Sequence, residues 1–280
     1  MTKNNKMHTL TLPNGEKIYY LDKLTALDIF DEIYVENDYL KFGITVKNED
    51  IVFDVGANIG LFTRFIAQQA QNLTIFAFEP VPIIYKVLEA NLKDLQAKVK
   101  PYNIGLAESS QKTKIHYYPK VSADSAITPF DWDLKVNQFV QNYNEFVVEM
   151  MPIAKIVPKF LRRFVVRIWL KKFYKSEMLD CELRSISDII HEHNLERIDL
   201  LKVDAENYEW EVLRGIKEED WNKIRQISME VHTHIKGGEN LLDEIVKLLK
   251  EKAFQVDVDL DSRFGIMGVF MLYANTLKRF

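Results

Sequence analysis

The chain has 280 residues, of which 47% are hydrophobic and 28% charged, as is ordinary for a soluble globular protein. Its net charge of -4 disfavours a general nucleic-acid-binding function. The single cysteine, Cys181, cannot form an intrachain disulfide and fits a reducing compartment. No stretch approaches the uninterrupted apolar residues, about eighteen or more, that a membrane span needs. We therefore expect a cytoplasmic protein with no transmembrane segment and no nucleic-acid partner.

Short apolar runs alternate with stretches of helical spacing in two parts of the chain. Seven such runs predict strands: IVFDVG (51–56), LTIFAFEP (73–80), VKPYNIGL (99–106), RIDLLKVD (197–204), IRQISMEVH (224–232), FQVDVDL (254–260) and GVFMLYA (268–274). Repeated strand–helix alternation predicts an α/β fold, a doubly wound and mostly parallel sheet with helices on both faces. The last two strands, joined by a short link, suggest an antiparallel edge.

Two segments lie outside this rhythm. We expect residues 1–47 to form an N-terminal extension that packs on a core domain of 48–280, and about 120–180 to form a helical lid insertion. Pro158 could open a basic helix over 159–175. That helix could be a packed lid element with solvated basic heads, or a docking surface for an acidic partner or anionic lipid headgroups.

The sequence DVGANIG, from Asp54 to Gly60, joins the first core strand to its helix. Gly56 permits a tight turn, and Gly60 permits close approach of a ligand or of the following helix. Asn58 stands between the two glycines, and no third glycine completes the dinucleotide-binding fingerprint. The loop also lacks the lysine of a P-loop. A phosphate-binding role is therefore not indicated.

The next strand ends in Glu79-Pro80, which we expect beside the glycine loop. An acid in this place can accept hydrogen bonds from both hydroxyls of a ribose. The loop, Glu79 and Pro80 together predict a nucleoside ligand without a pyrophosphate, namely S-adenosylmethionine. Asp54 could then position its charged amino-acid part. The alternative is a strand–helix turn with two incidental acids.

Four motifs, DVGANIGLFT, FAFEP, LLKVDAENYEWEVLRG and MEVH, resemble the FkbM family of S-adenosylmethionine-dependent methyltransferases, over about Ile51 to His234. The resemblance implies a Rossmann-like class I methyltransferase fold and O-methylation in natural product biosynthesis, often of polyketide, peptide or glycan hydroxyls. S-adenosylhomocysteine would be the product of the cofactor. The family usually has glycine where this chain has Asn207. Asparagine tolerates the left-handed conformation, so we expect the turn to survive.

Candidate catalytic residues lie at the carboxyl ends of the fourth and fifth core strands, where such sheets bind ligands. Asp204 ends the fourth strand, and it could orient a histidine, contact the methionine amino group or face the acceptor. Glu230, His232 and His234 would share one face of the fifth. His232 is the predicted general base because its ordinary pKa is near neutrality, and a hydrogen-bonded histidine at a strand end is the alternative. Glu209 and Glu211 are read as helix-start acids without a catalytic role.

A divalent metal is possible but not favoured. Asp204, Glu206, Glu230 and His232 are oxygen and nitrogen ligands that converge near one sheet edge, yet they lack a specific ligand spacing. We expect the partner to be a small-molecule or carrier-bound hydroxylated substrate, with an acidic carrier protein as one option. Tyr34 and Tyr39 are interpreted as packing residues. The acceptor and the oligomeric state are not predicted.

Overall fold

The computed structural model describes residues 6–233, 238, 240–260, 265 and 268–277. Its centre is a seven-stranded sheet. The strands are β3 (Ile51–Val55), β4 (Thr74–Phe78), β5 (Lys98–Tyr102), β9 (Leu200–Val203), β10 (Gln226–His232), β11 (Phe254–Asp259) and β12 (Val269–Thr276). Their order across the sheet is β11-β12-β10-β9-β3-β4-β5. Each predicted run supplies one of them. Strands β5, β4, β3, β9 and β10 pair in parallel, and β12 runs antiparallel to both of its neighbours.

The last two strands form an antiparallel pair at the edge of the sheet, as the sequence suggested. Strand β12 lies between β10 and β11, and β11 forms the edge. The residue types explain this order. Leu272, Tyr273 and Ala274 of β12 are fully buried, as suits an interior strand. Gln255 and Asp257 of β11 are exposed or half-buried, as suits an edge strand.

Helices cover both faces of this sheet. They are α1 (Lys23–Phe30), α2 (Leu61–Gln69), α3 (Pro82–Leu92), α6 (Ile186–Glu192), α7 (Glu209–Arg214) and α8 (Leu241–Glu251). Two further helices, α4 (Trp132–Gln141) and α5 (Lys159–Phe173), lie away from the sheet. Side chains alternate along β3: Phe53 and Val55 join the core that includes α6, α7 and α8, whereas Val52 joins the one that includes α1, α2 and α3. The parallel sheet is therefore buried on both sides.

The third predicted strand, 99–106, divides in two. Strand β5 ends at Tyr102, and β6 (Gly105–Leu106) joins a separate three-stranded sheet with β7 (Gln111–Tyr117) and β8 (Glu177–Arg184). Asn103 lies at the break, where its side-chain amide donates to the backbone oxygen of Glu79 at 2.9 Å. Cys181 of β8 is buried, as expected of a small core residue.

Helices α4 and α5 lie in the chain between β7 and β8 and pack around a core of their own, which includes Val136, Val147, Val166 and Leu170. Helix α5 begins directly after Pro158. At the N-terminus, β1 (His8–Thr11) and β2 (Lys17–Tyr20) form a hairpin. Among the residues that the structure describes, no helix is long and apolar enough to cross a bilayer.

Candidate active site

A cavity of about 370 Å³ opens where the strand order reverses, at the carboxyl ends of β3 and β9. This is the crevice in which doubly wound sheets bind ligands. The loops after β3, β4 and β9 and the end of β10 form its inner wall, which contains Gly56, Ala57, Asn58, Glu79, Pro80, Asp204, Ala205, Glu206 and Glu230. Six of the nine predicted site residues therefore lie in this wall: Gly56, Asn58, Glu79, Pro80, Asp204 and Glu230.

The two glycines of the loop are required by protein contacts. Gly56 has φ +75°, and a Cβ there would lie 1.8 Å from the backbone oxygen of Asp204. The loop can therefore pack against the end of β9 only with glycine at this position. Gly60 has φ +89°, and a Cβ there would lie 2.8 Å from Cδ1 of Leu88. The sequence suggested that a ligand or the following helix approaches Gly60, but the approaching element is α3, and Gly60 does not line the cavity.

Glu79 is 4% exposed, yet it forms part of the cavity wall. The backbone N–H of Asn58 donates to its Oε2 at 3.0 Å, and that of Val81 donates to its Oε1 at 2.8 Å. Burial raises the pKa of Glu79 to about 7, although these hydrogen bonds oppose the rise. The carboxylate is therefore fixed in place beside the glycine loop, with further acceptor capacity on both oxygens.

Asp54 lies behind the wall instead of in it. It is fully buried, its Oδ2 accepts from Oγ1 of Thr63 at 2.6 Å, and its Oδ1 lies 3.4 Å from Nζ of Lys202. Direct contact between Asp54 and a bound ligand, as the sequence suggested, does not suit this enclosed position. Its contacts instead join Thr63 of α2 to Lys202.

Lys202 is a site residue that sequence reasoning missed. Its Nζ donates to the backbone oxygen of Gly56 at 3.0 Å and lies 3.4 Å from Oδ2 of Asp204. Burial alone would lower its pKa, but Asp204 and Asp54 outweigh that effect and raise it, so the ammonium is retained. The available signal was a single lysine inside an otherwise apolar strand, two residues before an acid.

Two N-terminal residues also reach Asp204. Tyr39 is buried, lines the cavity and donates from its hydroxyl to Oδ2 of Asp204 at 3.3 Å. The packing interpretation of Tyr39 is thus incomplete, whereas Tyr34 does stack on Phe30. Glu32 lines the cavity nearby, and burial followed by repulsion from Asp204 raises its pKa to about 7.

His232 is 3% exposed and does not line the cavity. Its Nδ1 lies 2.7 Å from Oε1 of Glu209, and its Nε2 lies 3.5 Å from Oε2 of Glu206 and 3.9 Å from Oε1 of Glu230. Burial alone would lower its pKa, but Glu209 and Glu206 outweigh burial and raise it well above the ordinary value. His232 is thus buried among carboxylates and outside the cavity wall, which fits the alternative of a hydrogen-bonded histidine at a strand end.

Glu209 lies in the first turn of α7, as predicted, but it also contacts residues of the site. It is fully buried and its carboxylate contacts His232 as well as the backbone N–H of Asn207, which donates to Oε1 at 3.1 Å. Asn207 has φ +68°, so asparagine does occupy the left-handed turn as expected. The turn from Asp204 to Asn207 thus brings a second, hidden carboxylate to the histidine.

The inner wall carries an excess of carboxylates. Burial, followed for Glu230 by repulsion from Asp204, raises the pKa of Glu206 and of Glu230 well above the ordinary value. Donor atoms of Asp204, Glu230 and His232 lie within 4.8 Å of one another, a grouping that could hold a metal ion. His234, which was considered with them, lies outside the described residues. The wall is suited to a cationic ligand.

The insertion supplies an outer wall of different character. Its cavity-lining residues are mostly apolar and aromatic: Phe139, Phe146, Met150, Trp169, Phe173 and Tyr174. Asp124 connects two residues of the insertion. Its carboxylate accepts hydrogen bonds from the hydroxyl of Tyr174 at 2.7 Å and from Nζ of Lys135 at 3.1 Å. The cavity is therefore acidic at the sheet edge and apolar towards the insertion.

Comparison with known proteins agrees with this geometry. The family described as "Methyltransferase FkbM domain" matches residues 176–256. The 31-O-demethyl-FK506 methyltransferase FkbM of Streptomyces tacrolimicus is 28% identical, over 92% of this chain and 93% of that protein. Methyltransferase sdnD of Sordaria araneosa is 29% identical, over 86% of each.

A third relative is much longer. The AMB antimetabolite synthetase AmbE of Pseudomonas aeruginosa is 32% identical over 95% of this chain, but the chain spans only 13% of that protein. The matched segment 176–256 includes β9, the turn from Asp204 to Asn207, and β10, which together form much of the inner cavity wall. Residues 176–256 thus match the FkbM methyltransferase family, and the two relatives that are similar over most of their length are methyltransferases.

Proposed function

We propose that the protein transfers a methyl group from S-adenosylmethionine to a hydroxyl of a natural product. The observation that carries this proposal is the carboxylate of Glu79, fixed by two backbone N–H groups in the wall of a cavity at the point where the strand order reverses. Such an acid beside a glycine loop is suited to the two hydroxyls of a ribose.

The cavity residues fit the cofactor in charge as well as in position. S-adenosylmethionine carries a sulfonium and an ammonium group, and it supplies an activated methyl group when it is bound. Glu79 would hold its ribose, with Asn58 and Pro80 against the nucleoside. Asp204 and Glu32 would face the positively charged part. Lys202 and Tyr39 hold Asp204 in its place.

Glu230 is the general base in this proposal. It lines the cavity, and its pKa is raised by burial and by repulsion from Asp204, which makes it a stronger base than an ordinary carboxylate. His232, whose Nε2 lies 3.9 Å from Glu230, would act as a positioning residue that holds Glu206 and Glu230 from behind. Since both ring nitrogens of His232 already face Glu209, Glu206 and Glu230, the proposal assigns no metal to Asp204, Glu230 and His232.

An acceptor with an apolar body and one reactive hydroxyl fits the two-sided cavity. The name of the Streptomyces relative describes a methyltransferase that acts on an O-demethyl compound, which supports oxygen as the acceptor atom here. The Pseudomonas relative is a synthetase of which this chain resembles only a part. This supports, as a second form of the substrate, an acceptor presented on an acidic carrier protein.

Isothermal titration with S-adenosylmethionine and S-adenosylhomocysteine tests the cofactor. Binding should be lost or weakened about tenfold or more in Glu79→Ala, whose carboxylate is removed from the wall. It should be retained in Glu230→Gln. Absence of binding by the unmodified protein to either compound would overturn the proposal.

A methyl-transfer screen against hydroxylated acceptors, with and without EDTA, tests the chemistry. We expect transfer to survive EDTA and to fall by about a hundredfold or more in Glu230→Gln, since a general base commonly contributes that much. Transfer that requires added Mg²⁺ or another divalent ion would assign Asp204, Glu230 and His232 to a metal site instead.

A further inference from the structure

Helix α5 exposes a stripe of large apolar side chains that no described residue covers. Phe160 is 84% exposed, Phe164 65% and Ile168 54%, and their spacing of four places them on one helix face. In the turn before the helix, Ile153 and Ile156 are 73% and 80% exposed. Scattered exposed apolar residues are ordinary, but five in one short segment indicate an interaction surface.

The opposite face of α5 is the one that packs against the protein. Val166 and Leu170 are fully buried in the core of the insertion, while Trp169 and Phe173 line the cavity. Both the inner face and the outer face of the helix are therefore apolar. Burial of the inner face already accounts for the folding of the insertion, so the outer face is not needed for it.

Basic side chains border the exposed stripe. Lys159, Arg163, Arg167 and Lys171 follow one another at intervals of four residues, and all four are exposed. From Met150 to Ser176 the chain has eight Lys or Arg residues and no Asp or Glu, although its net charge is -4. The neighbouring acid is Asp133 of α4, whose Oδ1 lies 3.5 Å from Arg163 Nη2 and 3.6 Å from Arg167 Nη2.

We propose that the outer face of α5 docks on an anionic lipid bilayer and thereby holds the cavity at the membrane surface. Apolar residues flanked by Lys and Arg are the pattern of helices that lie in the plane of the bilayer interface. Phe160, Phe164 and Ile168 would enter the headgroup–acyl boundary, while the long basic side chains reach the lipid phosphates. The proposal concerns a surface outside the cavity and does not depend on the methyl acceptor.

A second copy of the chain is a poorer occupant of this face. A two-fold contact would bring identical surfaces together and set the basic rows of the two copies against each other. Like charges placed across an interface repel each other, which opposes the gain from the apolar stripe. Membrane docking removes that conflict, because anionic headgroups match the basic side chains. It also gives Trp169 and Phe173, on the cavity side of the same helix, a position near apolar compounds that partition into the bilayer.

Vesicle co-sedimentation tests the proposal with the full chain. We expect binding to phosphatidylcholine vesicles that contain about 30% phosphatidylglycerol, little binding to pure phosphatidylcholine, and weakening as salt is raised. Phe160→Ser/Phe164→Ser and Arg163→Glu/Arg167→Glu should each weaken binding about tenfold or more. Thermal unfolding would verify that both variants remain folded.

Matched controls change the same kinds of residue elsewhere. Lys247→Glu/Lys250→Glu on α8 alters net charge by the same amount, and Val35→Ser removes an exposed apolar side chain. Both should bind vesicles like the unmodified protein. Equal binding by the α5 variants and the controls would overturn the proposal, as would failure of the unmodified protein to bind anionic vesicles. Binding of an acidic carrier protein without vesicle binding would likewise overturn it in favour of a protein partner.

Discussion

The Nδ1 atom of His232 lies 2.7 Å from Oε1 of Glu209, at a point where both side chains are buried. A carboxylate in this place fixes the orientation of the ring and directs Nε2 towards Glu206 and Glu230, which line the cavity. The histidine thus links a hidden acid to two acids of the site. In this arrangement Glu209 is a positioning residue, and its substitution should affect His232, Glu206 and Glu230.

Substitution Glu209→Gln should lower the pKa of His232, because Glu209 is the largest of the groups that raise it. The measurement is an NMR titration of protein with labelled histidine. The His232 signal is assigned as the one that is missing from the spectrum of the His232→Gln variant. A raised pKa stabilises the fold below the unfolded value, and this contribution is lost as pH rises through the folded value. We therefore expect Glu209→Gln to lower the free energy of unfolding by about 1–3 kcal/mol at pH 6.

Glu211 provides the control for that prediction. It is the neighbouring helix-start acid and is half-buried. Glu211→Gln should leave the pKa of His232 unchanged in the same titration. An unchanged titration of His232 in the Glu209→Gln variant would contradict the proposed pair.

Substitution Gly56→Ala should prevent folding or destabilise the protein by about 3 kcal/mol or more. A Cβ at Gly56 would lie 1.8 Å from the backbone oxygen of Asp204, and neither backbone can move without shifting β3 or β9. Gly15→Ala is a matched control, since Gly15 also has positive φ, +90°, but nothing lies within 4 Å of its added Cβ. It should cost only about 1 kcal/mol of backbone strain, as measured by denaturant unfolding. Equal losses in the two variants would contradict the role given to the contact.

The sheet could be predicted from the sequence because buried parallel strands leave continuous apolar runs, and because strand ends collect the polar residues of a site. Asp204, Glu79 and Glu230 were found in this way. Lys202 and Glu209 were not predicted as site residues. Their partners are distant in the sequence, so the local sequence does not distinguish these buried charges from charges that face solvent. The sequence also did not indicate which of the two closing strands, β11 or β12, lies at the very edge, since pairing order within a sheet leaves no periodic signal.

Substitution Glu32→Gln should change how stability depends on pH. The pKa of Glu32 is raised from its ordinary 4.5 to about 7, chiefly by burial. Between these values the folded state binds the proton more tightly than the unfolded state, so stability falls as pH rises from about 4.5 to about 7. Glutamine removes this penalty. We expect the variant to gain on the order of 2 kcal/mol at pH 8 and little at pH 4.5.

Chemical denaturation at the two pH values measures this difference. Glu36→Gln serves as a control from the same segment, because Glu36 is exposed. It should leave the pH dependence unaltered. A gain in stability for Glu32→Gln that is the same at both pH values would mean that ionisation of Glu32 is not its cause.

Substitution Asn207→Gly should stabilise the protein by about 1 kcal/mol. Asn207 is 3% exposed, and neither Oδ1 nor Nδ2 has a hydrogen-bond partner among the described residues. Its φ of +68° suits glycine without strain, so the change removes an unsatisfied amide at a modest cost in chain entropy. Asn207→Ala separates the two effects: it removes the amide but retains the strained φ, and it should be less stable than the glycine variant. Thermal unfolding of the three proteins at one pH decides this, and a glycine variant less stable than the unmodified protein would indicate that the amide has a partner in solution.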